Sequence, residues 1–255
     1  MSASTSEVIE FIDDLLGDYA LPDFAPNGLQ VPGPDKVQRV ATGVSAHGPL
    51  IDAAAEAKAD LLLVHHGLFW KGQPLEITPI QRRRLAPLFE HRIALAAYHL
   101  PLDAHPAHGN NALLANALRV EQQSPFGSYE GGHLGVQGVF PGGISAAELS
   151  DRVRSATGGR EPLVISPDPG APISSIGIVS GAASDYMLEA IDLGLDAFLT
   201  GEPSERAFGI AIDGPITYVA AGHHATETFG VKRLGELLAQ RFGIEHIALD
   251  IDNPI

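Results

Sequence analysis

The sequence predicts an α/β protein made of two α/β domains of similar topology. Short apolar runs alternate with segments of helical periodicity along most of the 255 residues. The apolar runs are hydrophobic on both faces, which is typical of parallel strands covered by helices. A hydrophobic content of 45% is enough to bury a core in one large domain or in two of about 125 residues each.

The first half begins with an acidic amphipathic helix within residues 1–20, followed by a loop rich in Pro and Gly that contains a short strand. Strands and helices then alternate. The predicted strands are 40–46, 60–66 and 93–101, and the predicted helices are 49–59, 77–91 and 110–120.

The polar, glycine-rich stretch 121–132 is the best candidate linker, so we place the domains at 1–122 and 123–255. In the second half the predicted strands are 135–142, 162–166, 175–181, 196–202, 216–222 and 246–251, and the predicted helices are 145–158, 185–194, 202–212 and 225–242. The last strand is free to join the first domain. Asp60 and Asp196 each open an apolar strand after a similar strand and helix, a weak echo that fits duplication and chance about equally well.

The composition argues against several classes of partner. A net charge of −15 disfavours nucleic acid and anionic membranes, both of which repel such a surface. The lack of cysteine excludes disulfides and thiolate ligands and suits the cytoplasm, the location we expect. The N-terminus lacks the features of a signal peptide, and no apolar run approaches the length of a membrane helix.

Most of the eleven histidines lie in three patches that follow apolar runs. The patches are His65 and His66; His99, His105 and His108; and His223 and His224. Ligands bind α/β sheets at the carboxyl ends of the strands, so the patches are expected to converge. Two patches add a carboxylate, and imidazole with carboxylate is the ligand set of a hydrolytic metal centre.

His65 and His66 would face opposite sides of a strand, and two buried imidazoles would both need partners. At a strand end they can reach two metals, or one metal from two directions; a purely structural pair is the alternative. In the next patch Asp103 is expected to be a ligand rather than a helix cap, with Pro101 keeping its segment out of a helix. His99 is either a ligand or a residue facing the substrate.

His105 and His108 are expected to be exposed turn residues. In the third patch, His223 and Glu227 are four residues apart and come together if a helix opens at Ala225; an ordinary helix-start carboxylate is the alternative for Glu227. Weaker candidates for lining the pocket are Asn27, Gly28, Thr200 and Glu202.

Five motifs in register resemble the NIF-three-like family, whose bacterial members are commonly called GTP cyclohydrolase 1 type 2 homologues. In chain order they are APNGLQV, VHHGLFWKG, HLPLDAHPAHGNNA, DAFLTGE and AAGHHATE. The resemblance covers nearly the whole chain and is closest to the short bacterial branch. The chain departs from many members at Gln137, where they carry an arginine.

The resemblance implies two interlinked α/β domains with a two-metal centre in the cleft, and a homohexamer built as a trimer of dimers. Carried over position by position, the metal ligands are His65, His66, Asp103, His223 and Glu227, with Glu227 touching both ions. The ions are two divalent metals per protomer, and Zn, Mn, Fe and Co all suit mixed N/O ligands.

Two functions follow. The first is a metal-dependent hydrolase of GTP cyclohydrolase type, acting on a small molecule such as a nucleotide, in which water attacks a purine ring, formate leaves, and His99 or His224 handles protons. The alternative is a non-catalytic metal-binding ring acting as scaffold, carrier or regulator. Few basic residues lie near the motifs to bind a triphosphate, Lys71 and Arg206 being the nearest.

Overall fold

A computed structural model describes residues 1–19 and 21–255 and divides them into two compact units. The first unit comprises Met1–Leu102 and Gly230–Asp252, and the second Asp103–Phe229 and Asn253–Ile255. Within the described residues, no helix combines the length and the apolar character that crossing a membrane requires.

The strands, in chain order, are β1 (Ala3–Ser4), β2 (Gly28–Val31), β3 (Lys36–Val37), β4 (Arg39–Ser45), β5 (Leu61–His66), β6 (Ala94–Ala97), β7 (Glu121–Tyr129), β8 (Gly132–Ile144), β9 (Leu163–Ile165), β10 (Ile173–Ile178), β11 (Ala197–Thr200), β12 (Thr217–Ala220) and β13 (Glu245–Ala248). The helices are α1 (Thr5–Leu16), α2 (Gly48–Glu56), α3 (Pro79–Glu90), α4 (Leu100–Ala104), α5 (Asn110–Ala117), α6 (Ala146–Ala156), α7 (Met187–Asp192), α8 (Glu205–Asp213), α9 (His223–Thr226) and α10 (Thr228–Phe242), with 3-10 turns at Gly17–Tyr19 and Ser184–Tyr186.

The first unit is built on a five-stranded sheet in the order β13-β4-β5-β6-β2. The four strands β13, β4, β5 and β6 are parallel, and β2 is an antiparallel edge strand. Along β5 the side chains alternate between two cores, Leu61 and Leu63 in one and Leu62 and Val64 in the other. Because both faces are covered, β5 is apolar throughout until it reaches its histidines.

The second unit is built on a six-stranded sheet in the order β7-β8-β10-β11-β12-β9. Only β10, β11 and β12 are parallel; the outer strands pair antiparallel. The expected α/β class is confirmed, but this sheet is mixed rather than wholly parallel. Strands β7 and β8 are joined directly by a tight turn, whereas helices α7 and α8 connect the parallel strands β10, β11 and β12.

The predicted linker 121–132 is wrong for most of its length, because it forms β7 and the turn into β8. Its polar residues and Pro125 misled the prediction. An edge strand tolerates both, because one side of it makes no sheet hydrogen bonds, while Phe126 anchors the strand in the interior at 1% exposure.

The division of the chain differs from the predicted boundary between residues 122 and 123. Helix α5 lies before that boundary, yet its Ala112 and Leu114 pack in the core of the second unit. Helix α10 lies after it, yet Val231 and Leu234 pack in the core of the first unit, and β13 joins the first sheet beside β4. The chain therefore passes between the units at 102–103, 229–230 and 252–253.

The two units share a strand-capping device at the positions of the sequence echo. Asp60 Oδ2 accepts hydrogen bonds from two successive main-chain N–H groups at the start of β4, at 2.7 and 3.0 Å. Asp196 Oδ2 does the same at the start of β10, at 2.8 and 2.9 Å. The main-chain oxygen of each aspartate also accepts a hydrogen bond from the first residue of another strand. Ala94 N of β6 donates to Asp60, and Thr217 N of β12 donates to Asp196. These matching details support an internal duplication.

Candidate metal centre

The first unit gathers three histidines at the carboxyl ends of β5 and β6. His65 is fully buried, and its Nδ1 lies 2.9 Å from the main-chain oxygen of Tyr98. A carbonyl only accepts, so Nδ1 of His65 carries the proton and Nε2 the lone pair. Nδ1 of His66 lies 3.0 Å from Oγ of Ser45.

His99 completes this group. Its Nδ1 lies 2.8 Å from Oδ1 of Asp23, and one nitrogen from each of His65, His66 and His99 falls within 4.8 Å of the others. The three rings are tilted against one another, with centroids 4.7–5.5 Å apart. Three imidazoles presenting nitrogens to one small volume form a set of metal donors.

Asp103 is buried at the start of the second unit, in a short helix. The expectation that Pro101 keeps this segment out of a helix is wrong. Pro101 is the second residue of α4, and in a first turn its missing N–H costs nothing. The Asp103 carboxylate does not cap α5: Oδ1 accepts hydrogen bonds from Asn110 Nδ2 (2.8 Å) and Ser180 Oγ (3.1 Å).

His223 lies between two carboxylates of the second unit. Its Nε2 is 3.1 Å from Oε2 of Glu227 and its Nδ1 is 2.6 Å from Oε1 of Glu202. Burial opposes protonation of His223, but hydrogen bonds and charge attraction from the two glutamates outweigh it and raise its pKa to about 9. In the absence of a cation, a proton on His223 thus offsets the negative charge of its neighbours.

Glu227 sits at a break between two helices. The helix expected to open at Ala225 is instead α9, starting at His223, followed by α10 from Thr228, with Glu227 between them at φ −113°. The side chain is 3% exposed, and one of its oxygens lies within 4.8 Å of an oxygen of Asp103. Two buried carboxylates this close repel each other unless a proton or a cation lies between them.

Glycines give these donors room. Each of the parallel strands β10, β11 and β12 is followed within three residues by a glycine: Gly181, Gly201 or Gly222. A Cβ on Gly181 would lie 2.5 Å from Oε1 of Glu227, and one on Gly201 would lie 2.6 Å from Cα of His223. Side chains at these positions would occupy the space that the donors now hold.

The other candidate residues occupy supporting positions. Asn27 Oδ1 accepts a hydrogen bond from the main-chain N–H of His99 at 2.7 Å, and Gly28 adopts a left-handed φ of 100°. Thr200 is buried and its Oγ1 donates to the oxygen of Gly181 at 3.0 Å. The half-buried His224 donates its main-chain N–H to the oxygen of Ile255 at 3.0 Å.

The prediction that His105 and His108 are exposed is wrong for His105, which is 7% exposed. Its Nδ1 accepts hydrogen bonds from the main-chain N–H groups of Ala107 and His108, at 3.1 and 3.0 Å, so the ring organises the turn that precedes α5. His108 is half-buried and stacks on His105.

Comparison with known proteins identifies the family. The profile of Duf34/NIF3 (NGG1p interacting factor 3) matches residues 3–254. The chain belongs to the Duf34/NIF3 family. Relatives named GTP cyclohydrolase 1 type 2 homolog occur in Pseudomonas aeruginosa, 43% identical and covering 100% of both chains, and in Vibrio cholerae, 44% identical and covering 96% of both.

Solved structures related to this Duf34/NIF3 chain have the same fold. Protein ybgI, described as of unknown function, is 36% identical with a TM-score of 0.92 and covers 99% of this chain and 100% of its own. TTHA1606 from Thermus thermophilus is 35% identical with a TM-score of 0.88 over 99% and 100% of the two chains. The resemblance read from the five motifs is therefore confirmed.

The donor set of this Duf34/NIF3 member suits divalent cations. Imidazole and carboxylate donors without thiolates match Zn, Mn, Fe or Co. In metalloproteins a histidine ligand is held by a second partner on its other ring nitrogen. Here such partners are Tyr98 O for His65, Ser45 for His66 and Glu202 for His223. The residues present therefore fit the metals that the resemblance implies.

Sequence reasoning missed the side chains that hold the donors, chiefly Asp23, Ser45, Asn110 and Ser180. Asp23 is 76 residues from His99 and Ser180 is 77 from Asp103, so no local spacing connects them. One signal was available: Ser45 is the last residue of β4 and Ser180 lies two residues after β10, so both stand at the carboxyl end of a core strand, as His65 and His66 do in β5.

Proposed function

We propose that the protein binds two divalent metal ions per chain and hydrolyses a small-molecule substrate, a GTP cyclohydrolase-type reaction being the first candidate. The proposed ligands are His65, His66, Asp103, His223 and Glu227, with Glu227 bridging the two ions. The observation that carries the proposal is that His65, His66 and His223 each have a hydrogen-bond partner at Nδ1, so that Nε2 is the nitrogen that would bind a metal.

We further propose that the donors of both units serve one centre. The chain itself supports this. Asp103 follows directly on Leu102, at one passage between the units, and Glu227 lies three residues before Gly230, at another. These two candidate donors therefore lie beside places where the chain passes from one unit to the other.

When bound, a pair of divalent ions lowers the pKa of water and polarises the substrate. The residues of the chain then have separate roles. Five residues would hold the metal ions and thereby orient the substrate: His65, His66, Asp103, His223 and Glu227. His99 or His224 would move the proton between the attacking water and the leaving group. In a cyclohydrolase reaction one water adds to C8 of the purine and one C8–N bond breaks, which leaves a formamide; a second water then hydrolyses the formamide, so that formate leaves and an amine remains.

A non-catalytic role, as a metal-binding scaffold, carrier or regulator, is the second candidate. It is favoured by the scarcity of cations near the candidate residues. Arg206 is paired with Asp185, and Lys71 is a single exposed lysine. Arg160 lies beside Gly222, but its guanidinium already donates to the main-chain oxygens of Asn253 and Pro254. Little further positive charge is therefore available among the described residues to hold a triphosphate. A hydrolase of this kind would bind GTP weakly or prefer a less anionic substrate.

The test is turnover by wild type and by Glu227→Gln after loading with Zn, Mn, Fe or Co. Formate release from GTP, or hydrolysis of model esters, is expected for wild type and absent in the variant. Glu205→Gln, an exposed first-turn carboxylate of α8, is the matched control and is expected to retain both metals and turnover. Full metal content without turnover on any substrate would favour the non-catalytic role.

A further inference from the structure

A buried carboxylate outside the proposed metal ligands is aimed at His99. The side chain of Asp23 is 5% exposed and that of His99 is 14% exposed, although Asp23 lies in a loop. Their contact joins Oδ1 of Asp23 to Nδ1 of His99 at 2.8 Å. A carboxylate held beside one imidazole determines which ring nitrogen of that imidazole carries the proton.

We propose that Asp23, supported by Asn27, is a positioning residue that fixes the orientation and the tautomer of His99, so that Nε2 carries the lone pair on the side of His65 and His66. An ionised carboxylate only accepts hydrogen bonds, so the proton must sit on Nδ1 of His99. The inference rests on the proposed function, because it assigns His99 its working nitrogen there.

The main chain around His99 is held by the same loop. Asp23 Oδ2 accepts a hydrogen bond from Leu100 N at 3.0 Å and from Asn27 Nδ2 at 2.9 Å. Asn27 Oδ1 accepts from His99 N at 2.7 Å. Asp23 and Asn27 therefore form hydrogen bonds with the backbone at residues 99 and 100 and with the ring of His99, which restricts rotation of the ring.

The remaining surroundings of His99 agree with a fixed ring. Trp70 meets it edge-on, with centroids 5.1 Å apart and planes at 82°. Burial alone would raise the pKa of Asp23, but hydrogen bonds and charge attraction from His99, with bonds from Asn27 and Leu100, lower it to about 2. The carboxylate thus stays an acceptor throughout the neutral range.

His99 and His65 have the same hydrogen-bond pattern at Nδ1 in this arrangement. Both rings have Nδ1 directed at an obligate acceptor, Tyr98 O for His65 and Asp23 for His99. With His66 they place one nitrogen each within 4.8 Å of the others. The third imidazole is therefore preset to accept a hydrogen bond or a proton through Nε2.

The test is the tautomer of His99, read from long-range ¹H–¹⁵N spectra of the full-length protein labelled at histidine, metal-free and loaded with zinc. The His99 signals are assigned by their loss in His99→Gln. Wild type is expected to show the Nδ1–H form. In Asp23→Asn the amide can also donate, so the Nε2–H form is expected to appear. Asp14→Asn, an exposed carboxylate of α1, is expected to leave the spectrum unchanged.

An Nε2–H tautomer in wild type, or an unchanged tautomer in folded Asp23→Asn, would overturn the inference; the wild-type spectrum decides even if the variant fails to fold. Turnover in Asp23→Asn is expected to fall about tenfold or more with metal content retained. The two proposals fail separately: a fixed tautomer without turnover ends only the hydrolase proposal, and turnover with a mobile tautomer ends only this one.

Discussion

At the scale of single residues, the geometry around Glu227 depends on the absence of a side chain at Gly181. This glycine has φ +67°, a conformation that L side chains rarely adopt, and it stands against the carboxylate of Glu227. A residue with a Cβ would meet two obstacles at once: backbone strain, and a contact with an oxygen that we propose as a metal donor.

Gly181→Ala is therefore expected to lower both stability and metal content. The strain costs about 1–3 kcal/mol, and the new Cβ displaces the Glu227 oxygen. The control is Gly194→Ala, at φ +71° with open space around the new Cβ, which carries the strain alone. Thermal melting and elemental analysis of both variants separate the effects. Equal metal content in the two variants would show that Gly181 has no special relation to the site.

The residues that sequence could identify at this scale are those whose chemistry is local. His65, His66 and the pair His223 and Glu227 stand out because imidazoles follow apolar strands at short spacing. Asp23 and Ser45 did not stand out, because each holds a histidine that is distant in sequence and only the fold brings them together. His105 was misjudged because a turn-forming role can bury a ring.

At the scale of secondary structure elements, Asp60 and Asp196 fix the starts of their strands. Each carboxylate accepts two main-chain hydrogen bonds. Replacing either by Ala removes the oxygen that accepts both hydrogen bonds and is expected to cost about 1–3 kcal/mol in the free energy of unfolding. Because the two sites lie in separate units, the costs should be additive. Urea unfolding of both single variants and the double variant provides the measurement.

Asp192→Ala, at the exposed end of α7, is the control for loss of an aspartate without a strand cap. If Asp60→Ala and Asp196→Ala were no less stable than this control, the shared capping device would contribute nothing, and the case for duplication would rest on topology alone.

The core strands and most helices could be predicted from the sequence because burial on both faces leaves a clear apolar pattern. The failures have physical causes. Strand β7 is an edge strand and tolerates polar residues and a proline. The short helix α4 accepts Pro101 in its first turn. The return of β13 to the first domain was allowed for, but the division of the chain was otherwise missed, because α5 packs in the second unit and α10 in the first, a long-range packing choice that local periodicity does not encode.

At the scale of the whole molecule, we propose that the protein assembles as a ring-shaped homohexamer, a trimer of dimers. The proposal rests on the family resemblance. Light scattering at micromolar concentration is expected to give about six times the protomer mass of 26.8 kDa. A mass of one protomer, unchanged on adding metal, would reject the ring.

The central claim is that each chain binds two divalent ions through five ligands, and elemental analysis of the remetallated protein tests it most directly. Five donors are more than one open catalytic ion uses and suit a bridged pair. We predict about two ions per wild-type chain and one or fewer in Glu227→Gln, because the repulsion between adjacent dications is then uncompensated. A wild-type chain that holds at most one ion after remetallation, or a Glu227→Gln variant that holds both, would contradict the account.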